Sequence, residues 1–299
     1  MTHVATLISN PAAPRLDDVA LKSARAALPA AGEPVWLDPG IAADIPFTPA
    51  AEKNQSALAS DVRAALHGHL VDVVVQPIAN RRKRLFLADM DSTMIGQECI
   101  DELAAELGLK EKISAITERA MRGEIAFEPA LRERVGLLAG LPANVVEKVI
   151  AERIRLTPGG PELVRTMRTN GAYTALVSGG FTVFTGPISQ MIGFHENRAN
   201  ILIEEDGALT GSVADPILGQ DAKRASLLEL AATHKVPMEL TMAVGDGAND
   251  LAMIREAGLG VAFHAKPKVA AEAAARIDHG DLTALLYLQG YRRSEFVAV

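Results

Sequence analysis

Leu85-Phe-Leu-Ala-Asp89-Met-Asp91-Ser-Thr93 decides how this chain folds. Four apolar residues, entered from the basic run Arg81-Arg-Lys-Arg84, stop abruptly at two carboxylates one residue apart. An apolar run of this length, closed by polar and small residues, predicts a buried parallel strand. Side chains alternate faces along a strand, so Asp89 and Asp91 leave its end in the same direction. In open α/β sheets, ligands bind in the crevice beyond the carboxyl ends of the strands. Two acids, two hydroxyls and free backbone N–H groups at such an edge suit a divalent cation and a phosphate. Asp, Ser and Thr also cap helices, so the motif alone leaves an ordinary strand-to-helix turn open.

The composition bounds what surrounds that strand. A length of 299 residues predicts two or three structural units. Hydrophobic residues at 48% and charged residues at 22% supply a large core. A formal net charge of −7 argues against a broad nucleic-acid surface, which needs excess Lys and Arg to meet phosphates. Residues 81–84 are accordingly read as a solvated entry to the strand. Cys99, the one cysteine, excludes an intrachain disulfide or a multi-Cys zinc site and is expected to pack in a helix. No basic segment followed by a long apolar run opens the chain, and no uninterrupted apolar run approaches the ~18 residues of a membrane span. A soluble cytoplasmic protein without nucleic-acid or membrane partners is expected.

Working outward, residues 1–80 form a small α+β unit. Strands are expected at Val4–Ile8, Pro34–Leu37 and Leu70–Val75, with helices at Leu16–Leu28 and Ala51–Gly68. This β-α-β-α-β order resembles the ACT family of small regulatory domains. Those domains often carry a glycine in the first strand–helix loop, where the backbone meets an amino-acid ligand. Here that loop, Ser9-Asn-Pro-Ala-Ala-Pro14, has none. The free sheet edges of such a unit offer a route to a homodimer.

Residues 81–299 form the second unit. After Thr93 the periodicity becomes helical over Glu98–Leu107, Glu111–Met121, Phe127–Leu138 and Ala143–Ile154, an insertion covering about 97–156. Strand–helix alternation then returns: a helix at Pro161–Thr169, a strand at Ala172–Val177, and a helix over Phe181–Ile192 broken near Gly186-Pro187. A polar hairpin follows at Ile201–Leu209, then a helix at Gln220–His234 and a strand at Leu240–Val244. The last elements are a helix at Leu251–Ala257, a strand at Gly260–Phe263 and an Ala-rich helix at Pro267–Ala275. Repeated βα units predict an α/β fold with a mostly parallel sheet covered on both faces.

Three strand ends carry polar motifs: Asp89-Met-Asp-Ser-Thr93, Ser178-Gly-Gly180 and Gly245-Asp-Gly-Ala-Asn-Asp250, with Lys223 on a helix between the last two. Each piece alone reads as a turn or a solvated helix residue. Together, in this order, they resemble the four motifs of the haloacid dehalogenase superfamily of phosphohydrolases, over roughly residues 84–280. The resemblance implies a Rossmann-like core and a helical cap inserted after its first strand. It implies Asp89 as nucleophile and Asp91 as general acid and base. Mg²⁺ would lie on Asp89, the Asp91 carbonyl and Asp246. Ser178, Gly179 and Lys223 would hold the phosphoryl group, with Asn249 on the same edge and Asp250 in support through Lys223 or a water. A phosphate monoester is strongly anionic, so attack by a carboxylate does need such cations and donors.

Within the insertion, Glu98, Met121-Arg-Gly-Glu-Ile-Ala-Phe127 and Leu131-Arg-Glu-Arg-Val135 are similar to the phosphoserine phosphatases of that superfamily. The similarity implies O-phospho-L-serine as substrate and L-serine as product, the last step of one route to serine. Glu98 would meet the ammonium, Arg134 the carboxylate, and Phe127 would wall the site. One acid and one arginine fork make a matched clamp for an amino-acid backbone. Arg132 competes with Arg134 for the carboxylate, and spacing leaves both open. Also open are a sister enzyme acting on another small phosphomonoester or passing phosphate to an alcohol, and a binding protein on an inactive scaffold. His195, His234, His264 and His279 are scattered and read as surface or packing residues.

Overall fold

A computed structural model describes residues 1–50, 54–121 and 124–298, positions 120 and 121 by backbone alone. The expected helix start at 51–53 and the Arg122-Gly123 part of the insertion motif lie outside the described residues. The N-terminal unit comprises β1 (His3–Ser9), α1 (Asp18–Ala26), β2 (Val35–Asp38), β3 (Ala42–Phe47), α2 (Gln55–Ala65) and β4 (Val71–Pro77). Its antiparallel sheet has the order β2-β3-β1-β4. This βαββαβ arrangement has one strand more than the sequence pattern predicted. The added strand, β3, contains Pro46, a residue that disfavours strand interiors; yet Ile45 and Phe47, on either side of it, pair with Ala5 and His3 of β1. Both helices begin on side-chain caps, Asp17 accepting from Ala20 N–H and Asn54 from Ala57 N–H at 2.8 Å each. Each such cap contributes about 1 kcal/mol.

The second unit starts with β5 (Leu85–Ala88) and then four helices: α3 (Cys99–Glu106), α4 (Lys110–Met121), α5 (Phe127–Gly136) and α6 (Val145–Glu152). It continues through α7 (Gly160–Thr169), β6 (Tyr173–Phe181), α8 (Thr182–Ile192) and β7 (Glu196–Asn200), then the hairpin β8 (Leu202–Glu205) and β9 (Ala208–Val213). The remaining elements are α9 (Gln220–Thr233), β10 (Thr241–Gly245), α10 (Leu251–Glu256), β11 (Leu259–Phe263), α11 (Pro267–Glu272), β12 (Ala275–Ile277) and α12 (Ala284–Leu288). Among these described helices, none is long and apolar enough to cross a membrane.

The central sheet has the order β12-β11-β10-β5-β6-β7, with every pair parallel. From β5 the chain steps outward to β6 and β7; from β10 it steps the other way to β11 and β12. The order reverses between β5 and β10, and that is where a ligand crevice opens at the strands' carboxyl ends. Both faces are buried with a period of two. Phe86, Ala88, Leu176, Met242 and Val244 join the large core that runs into the insertion helices and α12. Leu85, Leu87, Ala175, Val177 and Ala243 pack under α9.

Three expectations give way to the structure, and one strand, β7, was not foreseen. Gly186-Pro187 does not break the helix, because Pro187 sits inside a continuous α8. The Ala-rich helix ends at Glu272, and Ala275–Ile277 is instead the edge strand β12. β7 carried no apolar pattern and pairs with β6 all the same. Finally, residues 81–84 are not a solvated entry. Arg81 binds Asp44 with two nitrogens and donates to the Leu288 carbonyl, and buried Lys83 donates to the Glu239 carbonyl at 2.8 Å. Arg82 and Arg84 point outward. Every second charge of the run turns inward, where carboxylate and carbonyl oxygens replace its water.

Those inward charges help bind the two units together. Gln76 donates to the Leu288 carbonyl at 2.6 Å, and the Tyr287 hydroxyl donates to Asp38 at 2.6 Å. Buried Asp72 on β4 accepts backbone N–H groups from Asp278, His279 and Gly280. With Ile8, Leu37, Ala42 and Val74 in the same core as α12, the N-terminal sheet has both faces covered.

Candidate active site

β5 delivers Asp89 to the reversal point, where its N–H donates to the Val244 carbonyl at 3.0 Å. The Asp89 carboxylate is buried, and its Oδ1 lies 2.7 Å from both the Met90 N–H and Lys223 Nζ. Both contacts fall on Oδ1, which leaves Oδ2 to face a substrate. Lys223, fully buried on the first turn of α9, also lies 2.7 Å from Asp250 Oδ1. Asp250 Oδ2 takes the Gly247 N–H at 3.0 Å, so both of its oxygens are committed. Asp250 can tuck in only because residue 245 is glycine: a Cβ there would come within 2.3 Å of the Asp250 carboxyl carbon.

Charge explains the titration of this cluster. Burial and the Asp250 charge hold Asp89 well above the usual carboxylate range, against the pull of Lys223. Burial alone would lower Lys223, but Asp250 and Asp89 outweigh it and raise the ammonium instead. Asp246, at the end of β10, is pushed up to about 7 by burial, then by Asp250 and Glu98. Carboxylate oxygens of Asp89, Asp246 and Asp250 lie within 4.8 Å of one another. Oxygen donors crowded to mutual repulsion fit a hard divalent cation, which would relieve both raised carboxyls. Since Asp250 is spent on Lys223 and Gly247, Asp89 and Asp246 are the pair facing such an ion.

Asp91 follows in a loop where Ser92 adopts φ 55°. Its Oδ1 accepts the Cys99 N–H at the head of α3 at 2.9 Å. Burial, then Glu98, pushes Asp91 up to about 7. Its other oxygen lies against Gly180, where a Cβ would come within 2.8 Å. Ser178 is 1% exposed, and its Oγ accepts the Gly180 N–H at 2.9 Å. Asp89, Asp91, Ser178, Lys223 and Asp246 are thus gathered at one edge. Gly179 lines it under Phe127, whose Cζ would lie 3.3 Å from a Cβ at that position. Asn249 folds its Oδ1 back over Gly247, where a Cβ would sit 2.3 Å away.

The insertion helices roof this edge and separate the two arginines. Arg134 points inward, donating to the Ala130 carbonyl and to Thr117 Oγ1 at 3.1 Å each. Burial lowers its guanidinium, against the opposing charges of Glu98, Asp101 and Asp91. Arg132 points outward, paired with Glu128 at 2.8 Å and Asp215 at 2.6 Å. Glu98 precedes α3 and accepts the Ser92 hydroxyl at 2.6 Å.

Cys99 packs as expected, 1% exposed, with burial and Asp91 holding its thiol well above the ordinary value. His195 and His234 stack on Tyr173 at 4.6 and 3.7 Å, and His264 bonds the Gly280 carbonyl at 2.8 Å. Three residues to which the sequence reading gave no role touch the gathered groups. Thr93 lies 3.4 Å from Asp246, Thr117 steadies Arg134, and Asn200 bonds the Gly179 carbonyl. Thr93 lay within the Asp89-Met-Asp-Ser-Thr93 motif, whereas nothing in the sequence marked Thr117 or Asn200.

The haloacid dehalogenase-like hydrolase family model matches residues 86–255. Phosphoserine phosphatase of Streptomyces coelicolor is 44% identical over 247 residues, 83% of this chain and 60% of that protein. The match thus spans about 60% of that relative's length. Among solved structures, a probable phosphoserine phosphatase from Vibrio cholerae superposes with TM-score 0.79 at 31% identity, covering 98% of this chain and 88% of that one. A haloacid dehalogenase family hydrolase from Salmonella enterica serovar Typhi gives TM-score 0.85 at 29% identity, covering 96% and 98%.

Proposed function

The chain belongs to the haloacid dehalogenase-like hydrolases, and from that premise we propose that it is a Mg²⁺-dependent phosphatase converting O-phospho-L-serine to L-serine and phosphate. The observation that carries this reading is the strand-end edge of Asp89, Asp91, Ser178, Lys223 and Asp246 beneath a cap that brings Glu98 onto Ser92 and turns Arg134 inward onto Thr117. A phosphomonoester that also bears an ammonium and a carboxylate matches that pairing of acid and guanidinium. The Streptomyces and Vibrio relatives carry the corresponding name.

Asp89 Oδ2 attacks phosphorus, forming the aspartyl-phosphate as the bond to the serine oxygen breaks. Asp91, poised at about 7, gives its proton to that leaving oxygen and then takes one from the water that cleaves the intermediate. Lys223 and the Ser178 hydroxyl neutralise the transferred group, and Asp250 keeps Lys223 charged and aimed. Mg²⁺, when bound by Asp89, Asp246 and the Asp91 carbonyl, supplies further charge neutralisation. Phe127 excludes water from the covered edge. Residues 1–80 act as a separate unit, 81–299 as the catalytic one, and about 97–156 as its cap. A buried thiol in place of any disulfide suits work in the cytoplasm.

Phosphate release with and without Mg²⁺ tests this, comparing O-phospho-L-serine with O-phosphoethanolamine and glycerol phosphate. Mg²⁺-dependent turnover selective for phosphoserine is expected. Broad turnover would retire the Glu98–Arg134 clamp, and none on any ester would retire the phosphatase.

A further inference from the structure

We propose that Asn200 is a positioning residue: its buried amide locks both arms that grip the phosphoryl group, the Ser178 arm and the Lys223 arm. The proposal rests on the reading above that these two groups meet the substrate's phosphate. Asn200 ends β7 opposite Phe181 and is 2% exposed. Its Nδ2 donates to the Gly179 carbonyl at 2.9 Å and to the Leu218 carbonyl at 3.2 Å. Its Oδ1 accepts the Leu218 N–H at 2.6 Å. Two N–H donors and an acceptor on one short side chain meet three backbone groups from two segments. The pattern fixes the amide's orientation, since a flip would set donor against donor and acceptor against acceptor.

The first arm runs through one peptide plane. The Gly179 carbonyl that Asn200 holds shares its rigid peptide unit with the Gly180 N–H. That N–H donates to Ser178 Oγ, so the hydroxyl oxygen is already an acceptor and its hydrogen is turned elsewhere. Directing that hydrogen to the phosphoryl position follows from fixing the plane. The second arm runs through Leu218 to Gly219, whose carbonyl accepts the Lys223 N–H at 3.1 Å and opens α9. One turn of helix then places Nζ against Asp89 and Asp250. Phe127 rests on both stitched segments, 3.3 Å from a Cβ at Gly179 and 3.4 Å from one at Gly219. Thus one amide sets the spacing between a neutral and a charged donor and levels the floor under the cap's aromatic wall.

Asn200→Asp tests this, because it keeps the size and the Leu218 acceptor but sets an oxygen against two carbonyls. The variant is expected to remain folded by circular dichroism and to lose about 10-fold to 100-fold in kcat. Its affinity for inorganic phosphate, measured calorimetrically with Mg²⁺, should fall in step. Inhibition by L-serine, which engages Glu98 and Arg134, should stay within about twofold of the parent, as for a site with no shared partner. In a Ser178→Ala background the same change should cost less, since the first arm is already cut. A folded Asn200→Asp with parental kcat and phosphate affinity would overturn the proposal. So would parallel losses of phosphate and serine affinity, which mark general loosening. Asn200→Ser repeats the test if the aspartate variant does not fold; if neither folds, the amide is only structural and the proposal falls. Should the parent protein release no phosphate from phosphoserine, the substrate reading fails, while the phosphate-binding comparison still judges Asn200.

Discussion

The strand-end edge and the cap hold their charges in opposite ways. At the edge, Asp89, Lys223 and Asp250 are all buried and each is committed to another. In the cap, Glu98 and Arg132 are exposed, whereas Arg134 turns inward. Taking charges out of water costs several kcal/mol per ion unless partners replace the water, so the edge is rigid and intolerant of loss. Exposed cap charges cost little and contribute little, which leaves that surface free to change with the substrate. Under the proposed function, the reaction thus takes place where solvent is absent, and selection where the ligand displaces solvent.

Substitutions should expose this difference in graded order. Asp89→Asn keeps the shape and removes the attacking charge, so phosphate release should fall on the order of 10⁴-fold or more, in line with loss of other nucleophiles. Lys223→Met strands two buried carboxylates, and urea unfolding should show a loss of about 3–5 kcal/mol together with lost turnover. If Lys223→Met were as stable as the parent, the edge would not be held by that ion pair. In the cap, Arg134→Ala should raise KM for phosphoserine about 10-fold to 100-fold while leaving O-phosphoethanolamine nearly unchanged, as expected for one charged hydrogen-bonding partner. Arg132→Ala should change either substrate less than about threefold, because its partners are exposed. Reversal of the two arginines would reassign the carboxylate site.

The same comparison sets a pH dependence. Asp91 and Asp246 rise from an ordinary 3.8 to about 7 in the folded chain. A carboxyl whose folded pKa lies above its unfolded one binds its proton more tightly when folded. Its contribution is fully present below the ordinary value and is lost as pH climbs through about 7. Without divalent cation, the melting temperature should fall as pH rises from about 4 to about 7 on account of these groups, and level off above that. Added Mg²⁺ should restore it at the upper end. A flat profile would mean that the edge carboxylates are not crowded as the structure has them.

Much of the edge was legible because strand ends impose strict spacing. Asp89 and Asp91, Ser178-Gly-Gly180 and Gly245–Asp250 all follow apolar runs that read as strands buried on both faces. β7 and β12 were not legible, since short edge strands with polar or small residues carry no alternation. The two arginines show the limit inside the cap. Residues two apart on a helix face different sides, so only one of Arg132 and Arg134 can look inward. Which one does depends on how α5 lies on Thr117 of α4, a tertiary fact. Asn200 was hidden for the same reason, as its partners lie 18 and 21 residues away. The basic run shows the converse: local composition promised solvent, and Asp44 with the α12 carbonyls supplied an interior instead.

The most direct test of the central claim, that a buried strand-end carboxylate carries the phosphoryl group, is a rapid acid quench with radiolabelled O-phospho-L-serine and Mg²⁺. Peptide mapping of the quenched protein should place the label on Asp89 in the Leu85–Met94 stretch, and Asp89→Asn should carry none. Full turnover with no label on the chain, or label on any other residue, would contradict it.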